Sequence, residues 1–269
     1  MKTLTIFLIC SVLILSACSS AGDDSVADAT STSLADAGEE LEGATDGSGP
    51  IASAHLCENI YYPVSEGVEH SYLGDGGPSG DFAFTTIVED VREDGFTLVT
   101  LFDELTLTQQ WACLAEGLVP LEYSAGPAAQ ISTEGGQATF ETSEVSGLYL
   151  PASIEIGDTW SQSFSISGTQ EVPGTGTSHS NGEALYEFEA IAFESVSTSA
   201  GDFESLAISV TLSVDLTVQI DDLSFPSSFT TNGISYFVAG NGWVKSVDSA
   251  EIFGIVSDHI TDLTGFHIP

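Results

Sequence analysis

The residues of this chain best able to do chemistry are 4 cysteines, 5 histidines and 40 carboxylates. His55, His70, His179, His259 and His267 stand singly, so each is expected at a surface or turn rather than in a metal site. Paired acids such as Glu39-Glu40 and Asp221-Asp222 would suit glycoside hydrolysis if held ~5–10 Å apart. In a chain this acidic such pairs arise without selection for catalysis and carry almost no information. The acid-and-glycine stretch Asp75–Asp81 lacks the alternating oxygen ligands and terminal Glu of a helix-loop-helix calcium site, and its composition is that of a turn. The chain has no Gly-x-Ser-x-Gly, no His-Glu-x-x-His, no Ser-x-x-Lys with its partners and no phosphate-cradling glycine loop ahead of a helix. No catalytic residue, metal ligand or cofactor is therefore assigned. The sequence names no ligand-binding residue, and a non-catalytic protein is expected.

Cys18 is the exception, because of where it stands. Lys2 gives a positive start, and Leu4–Leu15 is an apolar run of about a dozen residues, too short to span a bilayer stably. The run ends in Leu15-Ser16-Ala17-Cys18, which resembles the lipobox of bacterial lipoproteins: aliphatic, small, small, Cys. The resemblance implies removal of residues 1–17 as a signal peptide and thioether lipidation of Cys18, with diacylglycerol and then palmitate-like chains. Two or more acyl chains reach the threshold for stable anchoring, so the membrane is the expected partner. Ser19 stands where an Asp would resemble an inner-membrane retention signal, which points to the outer membrane if the cell has two.

Residues 18–50 carry Ser, Ala, Gly, Thr, Asp and Glu, with neither an aromatic nor a basic side chain. Such a segment cannot bury enough apolar surface to fold, and its acids repel one another. It reads as a disordered tether of roughly 30 Å mean span by square-root scaling. Cys10 leaves with the signal peptide, so Cys57 and Cys113 remain. An exported chain with two remaining cysteines reads as one disulfide, pinning the arm 54–62 to the strand that carries Trp111.

The 269 residues are 42% hydrophobic, enough for a sizeable core, and 16% charged. Against 40 acids stand Lys2, Arg92 and Lys245, for a net charge of −37. That surface repels phosphate backbones, so nucleic acid is excluded as a partner. Solubility, in a saline medium above all, accounts for the acidity.

The elements that must position any site are strands. Leu206–Ile220 alternates aliphatic and polar residues at period two over its whole length, and no segment keeps a helical period. At ~3.3 Å per residue it would run about 50 Å, so it must bend or coil. Phe82–Val88, Phe96–Phe102, Leu105–Cys113, Gly117–Tyr123 and Gln137–Glu141 read as a meander, with Arg92–Gly95 a hairpin whose Asp94-Gly95 supplies positive φ. Ser199–Asp202 is a second hairpin, and a change of apolar phase between Phe188 and Ile191 predicts a β-bulge. Gly168–Gly182 reads as an inserted loop, and Arg92 as half of a weak exposed ion pair.

Glu144–Pro151 returns in register as Asp262–Pro269: acid, aliphatic, hydroxyl, Gly, apolar, aromatic ring, aliphatic, Pro. Trp111–Val119 answers Tyr236–Val244, with Val238 near the place of Cys113. Two tandem related units are expected, 51–151 and 152–269. The segments Ala200–Ile208 and Tyr236–Val247 resemble recurring stretches of uncharacterised β-rich bacterial lipoproteins, which implies a shared fold and no activity. Within the second stretch Asn241-Gly242 predicts a type I′ turn that sets Trp243 and Lys245 on one face.

The expected fold is all-β and antiparallel, a curved sheet, barrel or sandwich with little helix. The expected function is that of a lipid-anchored extracytoplasmic surface protein, a non-catalytic binding or envelope module. One alternative is carriage of an apolar ligand, on a purely architectural likeness to lipoprotein-carrier half-barrels. A large cavity between the sheet faces would favour it. The other is a carbohydrate-acting hydrolase, which needs a cleft with two carboxylates and aromatic platforms.

Overall fold

The computed structural model describes residues 56–76, 81–103, 105–123, 129–133, 136–172, 176–220, 222–252 and 255–269, all within the unit His55–Pro269. Cys18, the expected signal peptide and tether, His55, Glu39-Glu40, Asp221 and residues 77–80 of the expected Asp75–Asp81 turn lie outside the described residues.

Every regular element is a strand: β1 Glu69–Gly76, β2 Phe82–Arg92, β3 Gly95–Leu101, β4 Thr106–Leu114, β5 Gly117–Pro120, β6 Ala129–Thr133, β7 Gly136–Gly147, β8 Leu150–Pro151, β9 Thr159–Val172, β10 Gly176–Thr198, β11 Gly201–Ile220, β12 Leu223–Val238, β13 Gly242–Ile252 and β14 Ile255–His267. Among the described residues there is no helix. All pair antiparallel in one 14-stranded sheet, ordered β6-β7-β9-β10-β11-β12-β13-β14-β1-β2-β3-β4-β5-β8. The ladder crosses the boundary at 151/152 twice, β7 on β9 and β14 on β1.

The sheet curls. One buried cluster joins Val88, Phe96 and Trp111 of β2–β4 to Phe188, Ile208 and Phe237 of β10–β12, strands far apart in the ladder. Only a sheet folded back on itself brings those faces together. The ladder does not close into a barrel, but its two ends are stitched. Leu148 N donates to Ser161 O of β9 (3.0 Å), Tyr149 N to Leu118 O of β5 (3.0 Å) and Ala152 N to Glu116 O (2.8 Å). Gly147 makes this crossing possible: its φ is 80°, and a Cβ there would run into the Ser161 carbonyl. Cys57 and Cys113 are joined by a disulfide across 56 residues of chain, holding the arm before β1 against β4.

The hairpin Trp111–Val119 joins β4 to β5, and Tyr236–Val244 joins β12 to β13. β7 crosses to β9 and β14 to β1, while β8 turns back to pair with β5.

Four local expectations need correction. Gly168–Gly182 is mostly strand rather than loop: its ends belong to β9 and β10, which pair from Gly176–Val172 down to Glu189–Thr159. Thr and Ser suit a pleated surface, and Gly182 fits because the Asp215 carbonyl fills the space of a Cβ. At Arg92–Gly95 the hairpin forms, but positive φ falls on Asp90 (50°), at the register shift between Glu89 and Arg92. Gly95 is needed instead because Trp111 O would meet its Cβ. Near Asn241 the positive φ values are those of Gly240 and Gly242, and Val238 pairs with Gly242 across a three-residue turn, so the turn is not type I′. The register then shifts so that Tyr236 opposes Lys245 and Phe237 opposes Trp243. That bulge puts Trp243 among the interior rings and Lys245 outside, where its Nζ pairs with Asp262 Oδ1 at 2.9 Å. The bulge in β10 lies between Ala190 and Ala192, within the predicted phase change.

Candidate ligand cavity

The curled sheet leaves space inside. One cavity of about 230 Å³ lies among Tyr62, Trp111, Tyr123, Phe164, Glu122 and Gln162. A second of about 440 Å³ lies between two aromatic walls. Tyr149, Tyr186, Phe237 and Trp243 line both, so the two adjoin. On one wall of the second cavity Phe84 stacks on Phe82 at 6.1 Å and meets Phe102 at 5.4 Å. Tyr72, which lines the first cavity, continues that array against Phe84 at 4.9 Å and Trp243 at 4.6 Å. On the other wall Trp160 and Tyr186 stack on Phe188 at 5.4 and 5.9 Å, and Tyr149 meets it edge-on at 5.6 Å. Offset and edge-to-face rings hold each other rigid and present a flat, polarisable lining.

A few polar groups interrupt this lining. Gln162 is 1% exposed on β9. Its Nε2 donates to Pro120 O at 3.3 Å, which fixes the amide orientation because a carbonyl only accepts. Its Oε1 is buried without a hydrogen-bond partner among the described residues. Glu122 is 8% exposed, and its Oε2 accepts the Gln110 N–H at 2.6 Å. Burial pushes its carboxyl above the usual range, with that N–H opposing. In the second cavity Asp248 accepts from Ser246 Oγ at 2.7 Å, over Gly233, where a Cβ would collide with the carboxylate. Burial raises the Asp248 carboxyl too, offset by Ser246 and His259. Burial, helped by Asp248, pushes the Tyr149 hydroxyl up to about 12.

The histidines fare unevenly against expectation. His179 and His267 are exposed and His259 is half-buried. His70 is buried at 7%, a correction: its Nε2 lies 2.7 Å from Asn241 O and 3.1 Å from Asn241 Oδ1. Both are acceptors, so Nε2 carries the proton. Burial lowers its pKa and keeps the ring neutral, with Asn241 opposing. Arg92 donates to the Gln110 amide at 3.3 Å, its partner among the described residues, rather than to an acid. Among the described residues no three of His, Cys, Asp and Glu gather to hold a metal. Among the described residues each cavity carries one carboxylate, Glu122 in the first and Asp248 in the second, where a glycosidase cleft would hold a pair.

Sequence reasoning missed Gln162, Glu122 and Asp248. A signal for Gln162 exists: Trp160, Gln162, Phe164 and Ile166 share one face of β9, and a lone amide in an apolar register marks either a satisfied core group or a ligand contact.

The fold and cavity define an all-β protein with one curled antiparallel sheet around an aromatic interior. Two solved structures resemble it. One is a "putative exported protein with YmcC-like fold" from Bacteroides fragilis, 12% identical over 78% of this chain and 100% of its own, at TM-score 0.43. The other is a "putative lipoprotein" from Parabacteroides distasonis, 11% identical over 78% of this chain and 99% of its own, at TM-score 0.41. Neither description names a ligand or an activity. No protein-family model matches the chain, and no curated protein matches it by sequence.

Proposed function

We propose that this is a lipid-anchored extracytoplasmic module that binds a small, largely apolar molecule inside its curled sheet and does no chemistry on it. The observation that carries the reading is the pair of adjoining aromatic cavities. The larger, about 440 Å³, falls in the ~300–1,000 Å³ range of small-molecule sites. A disulfide fits an oxidising compartment outside the cytoplasm, in keeping with the segment that ends at Cys18.

Two measurements test it. Cys18→Ser should move the protein from the membrane fraction to the soluble fraction, and intact mass of the wild type should show the added acyl chains. The mature Cys18→Ser chain should then bind ethylbenzene, read by a change in emission of Trp111, Trp160 and Trp243, which line the two cavities. An interior that takes up no apolar probe ends the carrier reading.

A further inference from the structure

The polar groups of the interior have a common sense. Gln162 lines the first cavity with its buried Oε1 left without a hydrogen-bond partner among the described residues, and Glu122 lines the same space with a carboxylate. Asp248 does likewise in the second. The two basic side chains of the described residues are turned to other partners: Arg92 is exposed on Gln110, and Lys245 is paired with Asp262. His70, which also lines the first cavity, spends its Nε2 proton on Asn241. Tyrosine hydroxyls in the lining can donate or accept, and the charged groups left for a guest are the two carboxylates, set among aromatic faces.

A buried acceptor left unmatched carries the full desolvation penalty of that group. Gln162 therefore gains most from a guest that brings a hydrogen-bond donor. Carboxylate and ring faces both favour a donor that carries positive charge, since an ammonium is attracted by the ring quadrupole as well as by Glu122. An anionic guest, such as a fatty acid, meets like charge without a counter-cation. The net charge of −37 acts in the same direction at long range, concentrating cations around the protein.

We propose that the ligand is a small organic amine, bound as its ammonium, with the head donating to Gln162 Oε1 and Glu122 and the apolar body lying against the aromatic walls. This rests on the binding reading above and names its ligand class. The step is binding only; no bond is made or broken.

The test is calorimetric titration of the mature Cys18→Ser chain with four probes of one skeleton: 2-phenylethylammonium, 2-phenylethanol, ethylbenzene and 3-phenylpropanoate. Titrations run in 0.5 M NaCl, where attraction to the outer acidic surface is screened within a few ångström. The ammonium should bind at least tenfold more tightly than the alcohol, and the propanoate most weakly. Glu122→Gln keeps an acceptor for the Gln110 N–H and should erase the advantage of the ammonium. Gln162→Met, near-isosteric, should weaken ammonium and alcohol alike and leave ethylbenzene unchanged. If ethylbenzene binds as well as the ammonium, or if both substitutions leave the ammonium untouched, the amine assignment falls and the binding module stands. If no probe binds, both fall.

Discussion

Asp248 shows at a single residue what an aromatic interior does to a charge. It is faced by Ser246 on its own strand, His259 on β14, Gly233 on β12, and the hydroxyls of Tyr149 and Tyr186 from across the cavity. Burial dominates, so the folded state binds the proton of Asp248 more tightly than the unfolded chain does. Its contribution to stability is full below the ordinary aspartate value of 3.8 and is lost as pH rises through the raised folded value. The wild type should therefore lose stability relative to Asp248→Asn as pH climbs from about 4, and melting curves of both proteins across pH 4–8 would show it; a constant difference would refute it. His70 runs the other way. Its pKa is lowered, so its contribution is lost as pH falls below the ordinary histidine value of 6.5. Gly147 carries a different demand. Its φ of 80° and the Ser161 carbonyl leave no room for a side chain, so Gly147→Ala should cost about 2 kcal/mol or more in denaturant unfolding. A neutral result would mean that the 148–152 crossing relaxes freely.

At the scale of elements, most of the strands could be read from alternation and turns, because period two is what a half-buried pleat imposes. The meander from β2 to β5, the Ser199-Ala200 turn and the bulge of β10 follow from it. Failures came where a backbone neighbour, not local chemistry, decides. Gly95 and Gly182 look like loop residues, yet each sits in a strand because a facing carbonyl occupies its side-chain space. Trp243 and Lys245 separate because of a bulge that local sequence does not mark. The cavity was illegible for the same reason: Tyr72, Tyr149 and Trp243 meet only once the sheet has curled. The disulfide holds one such long-range contact. Its loop of 56 residues predicts a loss of about 4 kcal/mol for the Cys57→Ala, Cys113→Ala double variant on the chain-entropy model. Equal denaturation midpoints for the variant and the oxidised wild type would show that the arm before β1 is held by packing alone.

At the scale of the molecule, we propose that the Glu144–Pro151 and Asp262–Pro269 likeness has its source in one copied unit. Pairing of β7 with β9 and of β14 with β1 joins residues on both sides of Pro151 into one sheet, and curling that sheet creates an interior that both sides line. Most of the chain's acids belong to the same object. With 40 acids against 3 basic residues, self-repulsion opposes the compact state, and the curled sheet must hold against it. Screening relieves that strain. The Debye length falls from ~10 Å at 0.1 M salt to ~3 Å at 1 M. Thermal stability should therefore rise with NaCl, by about 1–2 kcal/mol or roughly 3–6 °C for a chain of this size. The form of the curve separates causes. Relief of repulsion is largely complete by 1 M, whereas strengthened hydrophobic burial goes on increasing with salt. A rise that levels off near 1 M assigns the gain to the acidic surface; a melting temperature that stays flat or falls removes charge repulsion as a limit on this fold.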